Sequence, residues 1–293
     1  MQNVVIKSID KQDFRTKEAY KTLRTNLEFA GKSVRVVALT SCTPNEGKTS
    51  VSFQLALSLA EAGKRTILVD ADMRKSVMRG RYKATHEKYG LSHYLSGQAE
   101  LDDAICVTNV ENFDIIFAGP VPPNPSELLG NKAFKDMIHE LREDYDYVVV
   151  DTPPLGSVID SAIISRECDG VAIVIESNAI SYKFAQSVKE QLEKAGCRIL
   201  GCILNKVDMK HNAYYGKYYG KYYGKYYGND NAETLTKSKK AKDDEVVSDR
   251  AEVLESESQP SDAAAASEPV VSEIEVQSTP ERDDSGLEFE QID

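Results

Sequence analysis

Residues 42–49, which read Cys-Thr-Pro-Asn-Glu-Gly-Lys-Thr, most constrain how this chain can fold. They follow an apolar run at 34–39 and precede a helical pattern at 49–62, which stops before Gly63. They match the phosphate-binding pattern G-x-x-x-x-G-K-[ST] except at the first position, where Cys42 stands. In such a strand–loop–helix unit, loop N–H groups and the helix N-terminus bind phosphate. The segment predicts a nucleotide-binding P-loop whose backbone avoids positive φ at Cys42.

The remaining apolar patterns predict the fold class. Short apolar runs predict strands at 66–69, 113–117, 147–150, 170–175 and 199–204. Helical spacing is present at 16–29, 132–142, 160–167 and 181–195. Near-continuous Val, Ile and Leu strands that alternate with helices indicate an α/β fold. We therefore expect a P-loop NTPase with a mainly parallel sheet, helices on both faces, and its ligand at the carboxyl ends of the strands.

Carboxylates follow two of these predicted strands. Asp70 and Asp72 come after the run at 66–69, and one intervening residue places both side chains on the same side. Asp151 follows the run at 147–150. A solvated turn is the simpler interpretation of the Asp pair. However, like charges beside an apolar strand are unfavourable unless a cation lies between them. We predict that the three carboxylates organise Mg²⁺ and accept a hydroxyl proton.

A tyrosine repeat occupies residues 214–228. Its four Tyr-Tyr-Gly units carry eight of the 15 tyrosines: Tyr214, Tyr215, Tyr218, Tyr219, Tyr222, Tyr223, Tyr226 and Tyr227. Glycine at every fourth position disfavours regular structure, which suits a phosphoacceptor that must reach into an active site. A strip that stacks single-stranded nucleic acid is the alternative. The neighbouring P-loop and an acidic tail argue against it, so no nucleic-acid partner is expected.

The acidic tail spans residues 229–293. It has 19 Asp and Glu against 6 Lys and Arg, a net charge of −13, whereas the whole chain carries −11 and residues 1–228 are therefore close to neutral. With one Phe and no Tyr it cannot bury enough apolar surface to fold, and we predict disorder. The chain has no apolar run of membrane-spanning length, and its first residues lead us to expect no signal peptide. Its five cysteines form no Cys-x-x-Cys pair, which argues against a disulfide framework or a zinc site.

Taken together, these motifs resemble the bacterial tyrosine kinases that govern capsule and exopolysaccharide synthesis, over roughly residues 16–228. The resemblance rests on the P-loop, on residues 70–74 (Asp-Ala-Asp-Met-Arg, called Walker A′ in that family), and on Asp-Thr-Pro-Pro at 151–154. It also rests on Pro-Pro-Asn-Pro-Ser-Glu-Leu-Leu at 122–129 and on the tyrosine repeat. It implies an ATP-dependent, non-specific protein-tyrosine kinase with Mg²⁺ as cofactor. Such an enzyme would autophosphorylate its tyrosine repeat, between subunits, and regulate polysaccharide synthesis and export.

The resemblance also implies residue roles. The catalytic residues would be Lys48, Asp70 and Asp72, with Asp72 as the base towards the tyrosine hydroxyl. Thr49, Asp70 and Asp151 would hold the metal. The nucleotide would contact Thr43, Pro44, Asn45, Glu46, Gly47, Lys48, Thr49, Ser50 and Asn205. The division that follows is residues 1–213, a P-loop kinase domain with an N-terminal oligomerisation helix; 214–228, the autophosphorylation repeats; and 229–293, the acidic tail.

Partners are implied in the same way. Glu18, Lys21 and Arg24 resemble the family's Glu-x-x-Arg-x-x-Arg self-association motif, which implies a homo-oligomeric ring. Lys21 departs from the motif, because lysine lacks the planar fork of arginine, and an ordinary surface helix is the alternative. The family also implies a transmembrane adaptor of the polysaccharide co-polymerase type and a cognate phosphotyrosine phosphatase. The expected localisation is cytoplasmic, with peripheral recruitment to the membrane through the adaptor.

Three other functions compete with this interpretation. Partitioning and septum-placement ATPases carry a signature lysine five positions before the P-loop lysine, where this chain has Thr43. A GTPase would use the pattern Asn-Lys-x-Asp, which residues 205–208 match. A nucleotide-gated scaffold would have its tyrosines phosphorylated by another kinase.

Overall fold

The computed structural model describes residues 1–9, 12–84 and 87–207. The tyrosine repeat and the acidic tail, and with them the predictions made for 208–293, lie outside the described residues. The strands are β1 (Gln2–Asn3), β2 (Val36–Ser41), β3 (Thr66–Asp70), β4 (Cys106–Val107), β5 (Phe113–Ile116), β6 (Tyr147–Asp151), β7 (Gly170–Glu176) and β8 (Ile199–Asn205). The helices are α1 (Phe14–Phe29), α2 (Lys48–Glu61), α3 (Met78–Tyr82), α4 (Leu91–Leu95), α5 (Leu101–Ala104), α6 (Pro125–Leu129), α7 (Lys132–Asp144), α8 (Asp160–Ser165) and α9 (Tyr182–Lys194).

All eight strands belong to one sheet in the order β1-β4-β5-β3-β6-β2-β7-β8. Every pairing is parallel except that of β4 with β5. The central strands are buried along their whole length, as expected when helices cover both faces of a parallel sheet. Separate apolar clusters lie on the two faces of the sheet. The predicted P-loop NTPase architecture is therefore confirmed.

The sheet register brings the predicted carboxylates together. β3 and β6 are neighbours, and Asp70 pairs directly with Asp151 in their register. β2, which leads into the P-loop, lies on the other side of β6. The carboxyl ends of β2, β3 and β6 consequently meet at one edge of the sheet. This is the edge at which parallel α/β sheets bind ligands.

Helix α2 is packed into the molecule on most of its sides. Phe53 stacks on Tyr82 with ring centroids 3.6 Å apart, and it meets the edge of Phe113 at 5.3 Å. Both Phe53 and Tyr82 are fully buried. Helix α1 lies against α2, where the Arg24 guanidinium donates to the Ser58 carbonyl at 2.7 Å. The helix that follows the P-loop is thus held firmly below the site.

The long elements match their sequence predictions to within two residues at each end. Helix α1, predicted at 16–29, begins two residues earlier because the Asp13 side chain caps it through the Thr16 N–H. The sequence patterns missed the short elements, namely β1, β4, α3, α4, α5 and α6. None of these is longer than five residues, too short to show a hydrophobic period. In the described residues, no helix is both long enough and apolar enough to span a bilayer.

Candidate active site

The loop between β2 and α2 adopts a phosphate-binding conformation. Asn45 and Gly47 have positive φ values of 69° and 90°. Cys42 is buried and has a negative φ, as the sequence predicted for a residue in place of glycine. The buried Glu46 carboxylate accepts a hydrogen bond from the Thr43 N–H at 2.8 Å, which closes the loop from within. Successive N–H groups in such a loop form a concave site for anions.

Lys48, the first residue of α2, extends between two of the predicted carboxylates. Its Nζ donates to Asp151 Oδ1 at 2.7 Å and lies 4.0 Å from Asp72 Oδ2. The Lys48 side chain is only 6% exposed, so its charge acts in a poorly screened environment. Ser52, one turn further along α2, donates to the same Asp151 oxygen at 3.0 Å. The ammonium group of Lys48 is thus held at the end of β6 beside the P-loop.

Two carboxylate oxygens at this edge of the sheet have no partner in the part of the chain that the structure describes. Asp70 accepts a hydrogen bond from Ser76 through Oδ2 at 2.5 Å, but its Oδ1 is buried and has no hydrogen-bond donor among the described residues. Asp151 Oδ2 is likewise buried and has no hydrogen-bond donor among the described residues. Within the described residues no three acidic, His or Cys side chains form a metal cage. Mg²⁺ typically takes one or two carboxylates and completes its shell with water and phosphate oxygens, so these residues fit it.

Burial perturbs the titration of the two Walker A′ aspartates. Burial, together with the charge of the adjacent Asp151, raises the pKa of Asp70 to about 7, although Ser76 and Lys48 oppose the shift. Burial also raises the pKa of Asp72, against the charge of Lys48 and the hydrogen bond from the Lys75 N–H. A carboxylate with a raised pKa is a better proton acceptor at neutral pH. The shifts therefore agree with a base role for Asp72 and with a cation near Asp70.

Arg74, the last residue of Walker A′, forms hydrogen bonds with two segments that are distant in the sequence. Its Nε donates to Asp160 Oδ2 at 2.6 Å and its Nη2 to Asp160 Oδ1 at 3.1 Å. The same Nη2 donates to Ser126 Oγ at 2.8 Å, and Ser126 in turn donates to Asp160 at 2.6 Å. Ser126 comes from the proline-rich segment 122–129 and Asp160 from the start of α8. These contacts fix the path of the loop that carries Asp72.

Known proteins share both this sequence and this fold. Residues 34–199 match the AAA domain family. Tyrosine-protein kinase CpsD of Streptococcus agalactiae is 46% identical over 218 residues, which cover 73% of this chain and 95% of that protein. The chain belongs to the bacterial capsular tyrosine-protein kinase family. The solved kinase domain of Escherichia coli tyrosine kinase ETK superposes with a TM-score of 0.63 at 36% identity, covering 65% of this chain and 75% of that one.

The septum-placement alternative shares the fold with this kinase family. The septum site-determining protein MinD of Pyrococcus horikoshii, solved with Mg-ADP, gives a TM-score of 0.50 at 26% identity over 58% of this chain and 70% of its own. Identity to the tyrosine kinases is higher and covers more of the chain. The kinase interpretation is therefore confirmed over the septum-placement one, in agreement with Thr43 at the signature-lysine position.

The structure places the remaining predicted residues of this kinase as follows. Thr49 Oγ1 lies 3.4 Å from Lys48 Nζ, at the start of α2. Ser50 accepts a hydrogen bond from the Arg81 guanidinium. Asn205 ends β8 beside the P-loop, where its side chain contacts the Glu46 carbonyl. Asp208, the last position of the GTPase pattern, lies outside the described residues.

The predicted oligomerisation residues lie on α1. Glu18 and Lys21 form an ion pair with each other at 2.7 Å, and the Lys21 side chain is 56% exposed. Arg24 instead turns inward to the Ser58 carbonyl on α2. Lys21 therefore faces solvent, Glu18 is half-buried beside it, and Arg24 supports the packing of α1 on α2.

The sequence analysis assigned no site role to Ser52, Ser76, Ser126, Asp160, Arg81 and Lys206, although Ser126 and Lys206 lie within motifs that it quoted. Ser52 had a usable signal, because it follows Lys48 by four residues and so lies on the same face of a helix. The others come from separate loops and helices, and only the folded chain brings them to the site.

Proposed function

We propose that this kinase binds ATP with Mg²⁺ at the P-loop and transfers the γ-phosphoryl group to tyrosines of the repeat at 214–228 on a neighbouring copy. The observation that carries the proposal is the position of Lys48 between Asp151 and Asp72, beside a closed P-loop. Membership of the tyrosine-kinase family supports the choice of acceptor. ATP binding is supported by the P-loop class and by Mg-ADP in the MinD relative.

Each site residue has a role in this proposal. N–H groups of residues 45–50 would surround the phosphates, while Thr43 and Pro44 would line the start of the loop. Lys48 would neutralise charge on the β- and γ-phosphates. The metal ligands would be Thr49, Asp70 and Asp151, the latter two through the oxygens that have no partner. Mg²⁺ held by these residues would supply positive charge that offsets the negative charge developing during transfer. When the nucleotide binds, the Lys48 ammonium group would donate to the phosphates and would lose part of its contact with Asp151.

Asp72 would serve as the general base. Its carboxylate would take the proton of the tyrosine hydroxyl while the phenol oxygen forms a bond to the γ-phosphorus. The bond from that phosphorus to the β–γ bridging oxygen breaks, and ADP leaves with the electron pair. The raised pKa of Asp72 supports this role, because burial makes its carboxylate a better proton acceptor.

The family also supports proposals about assembly. We infer a kinase domain at 1–213, an acceptor strip at 214–228 and an acidic tail at 229–293. A homo-oligomeric ring would use Glu18, Lys21 and Arg24 of α1, and would bring the strip of one copy to the site of the next. A transmembrane adaptor would activate the kinase and recruit it from the cytoplasm to the membrane. A cognate phosphatase would reverse the modification, and the output would be control of capsular or exopolysaccharide synthesis and export.

Phosphosite mapping of the purified full chain, with ATP-Mg²⁺ and with or without a candidate adaptor tail, tests the proposal. Lys48→Met should abolish phosphotyrosine, and Asp72→Asn should abolish transfer while nucleotide affinity stays largely intact. Lys132→Met is a matched control, since Lys132 forms an exposed ion pair on α7 far from the P-loop in sequence. Persistent labelling of Lys48→Met would instead mean that another kinase modifies a nucleotide-gated scaffold.

Replacement of the eight repeat tyrosines by Phe identifies the acceptor. Autophosphorylation should fall to a small remainder, because the strip supplies most of the accessible hydroxyls. If labelling continues at other tyrosines, the strip is not the main acceptor. A mixture of Lys48→Met chains with intact strips and wild-type chains with Phe strips separates transfer between copies from transfer within one copy.

A further inference from the structure

Two side chains at the carboxyl end of β8 hold the main chain of the P-loop. Asn205 Nδ2 donates to the Glu46 carbonyl at 2.9 Å. Lys206 Nζ donates to the Asn45 carbonyl at 2.7 Å. Both contacts reach backbone oxygens of consecutive loop residues. Asn205 and Lys206 therefore act on the path of the loop backbone.

Holding these carbonyls determines where the next N–H groups point. The peptide unit is planar and trans, so each C=O is directed opposite to the N–H of the following residue. When the carbonyls of Asn45 and Glu46 turn towards β8, the N–H groups of Glu46 and Gly47 turn away from it. Neither of these N–H groups has an acceptor among the described residues. They are free to donate to an anion held in the loop.

The close contact between the end of β8 and the P-loop restricts residues on both of these segments. A Cβ on Gly47 would lie 2.2 Å from Asn205 Nδ2, so a larger residue at that position would displace the Asn205 side chain from its contact with the loop. Lys206 itself has φ 55°, a left-handed conformation that costs free energy for a residue with a side chain. The Glu176 carboxylate, 2.7 Å from Lys206 Nζ, holds the ammonium group in place.

We propose that Asn205 and Lys206 are positioning residues for the nucleotide's phosphates, acting through the P-loop backbone, and do not select the base. The proposal rests on the proposed function only in taking a nucleotide as the ligand. It assigns a role to Lys206 and changes the expected role of Asn205, whose amide nitrogen donates to the Glu46 carbonyl. The match of residues 205 and 206 to the first half of the guanine pattern then reflects the anchoring of the loop.

Isothermal calorimetry on the full chain tests this role with Mg-ADP, Mg-GDP and Mg-tripolyphosphate, which has no base. Lys206→Met should weaken Mg-ADP about tenfold, the usual effect of losing a charge-assisted hydrogen bond. Mg-GDP and tripolyphosphate should weaken by the same factor, so the ADP-to-GDP preference stays constant. Asn205→Ala should act in the same direction, about fivefold, since its bond is neutral. Lys206→Arg, which keeps a cationic donor, should recover most of the loss.

A matched control variant distinguishes a specific effect on the P-loop from a general loss of surface charge. Lys189→Met removes a comparably exposed lysine that pairs with Glu193 on α9, and it should leave all three affinities unchanged. The proposal is overturned if Lys206→Met leaves Mg-ADP affinity unchanged. It is also overturned if only the preference for ADP over GDP changes, because that result would mean that Asn205 and Lys206 recognise the nucleotide base. Absence of phosphotyrosine in the wild-type chain would refute the proposed function but would leave these affinities interpretable.

Discussion

The ion pair between Arg74 and Asp160 offers the sharpest test of how the Walker A′ loop is held. Asp160 is 1% exposed, and its two oxygens receive hydrogen bonds from Arg74 Nε, Arg74 Nη2 and Ser126 Oγ. Arg74→Gln removes the positive charge and most of these donors, leaving a buried carboxylate with Ser126 as its remaining partner. The variant should be destabilised because a buried charge without a counter-charge is unfavourable.

The expected size follows from the exposure of the pair. Breaking a fully buried ion pair costs roughly 3–5 kcal/mol. The Arg74 side chain is 38% exposed, so solvent screens part of the interaction, and Ser126 continues to donate. We expect a loss of about 2–3 kcal/mol in the free energy of unfolding. For a domain of this size, that loss corresponds to roughly 4–12 °C in melting temperature.

Urea denaturation of a double-mutant cycle isolates the interaction. The variants are Arg74→Gln, Asp160→Asn and the pair of both, measured at one pH and ionic strength. The double variant should be more stable than the sum of the single losses predicts, because removing both charges leaves none buried and unpaired. Strict additivity of the two single effects would refute the coupling. A loss below about 0.5 kcal/mol for Arg74→Gln would do the same, since that is the range of ordinary surface substitutions.

Three further predictions use other parts of the structure. Gly47→Ala should weaken Mg-ADP binding at least about tenfold in calorimetry, because its φ is 90° and the new Cβ would collide with Asn205; unchanged affinity would show that the loop adapts. Phe53→Ala should lower the free energy of unfolding by about 3–5 kcal/mol in urea titration, and Phe53→Leu should lose less because it fills more of the cavity. A Phe53→Leu variant as stable as the wild type would contradict a contribution from the aromatic stack with Tyr82. Asp169→Asn should lose stability at neutral pH but match the wild type in strong acid. Burial raises the pKa of Asp169, but hydrogen bonds from Arg142 and from the N–H groups of Val36 and Arg35 outweigh burial and hold that pKa below its usual value. The stabilisation is therefore present above pH about 4 and is lost as the pH falls through the lowered pKa. A stability difference between the two proteins that persists unchanged at about pH 2 would contradict this.

Local patterns in the sequence were enough to predict the class of fold. The long strands and helices each carry enough apolar residues to show their period, and the P-loop needs only consecutive residues to form its anion site. The alternation of strand and helix then requires a parallel sheet, and a parallel sheet places its ligand at the carboxyl ends of the strands. The sequence could therefore predict that Lys48, Asp70, Asp72 and Asp151 lie at one edge of the sheet, and the structure brings them together there.

The order of the strands could not be read from local patterns. Apolar periodicity marks β3, β6 and β2 as buried, but it does not say that β6 lies between the other two. That order decides that Lys48 reaches Asp151 and that Asp70 pairs with it in register. The raised pKa of Asp70 likewise depends on burial by the whole fold.

The P-loop shows most clearly which features follow from local sequence and which need the tertiary structure. Residues 42–49 alone determined that a phosphate loop forms between a strand and a helix, because its N–H groups, glycine and lysine are adjacent in the chain. Only the tertiary structure decided what holds that loop, since Asn205 and Lys206 lie about 160 residues further along the chain. Contacts between residues so distant in sequence leave no local pattern; they exist only because the sheet places the end of β8 beside the loop.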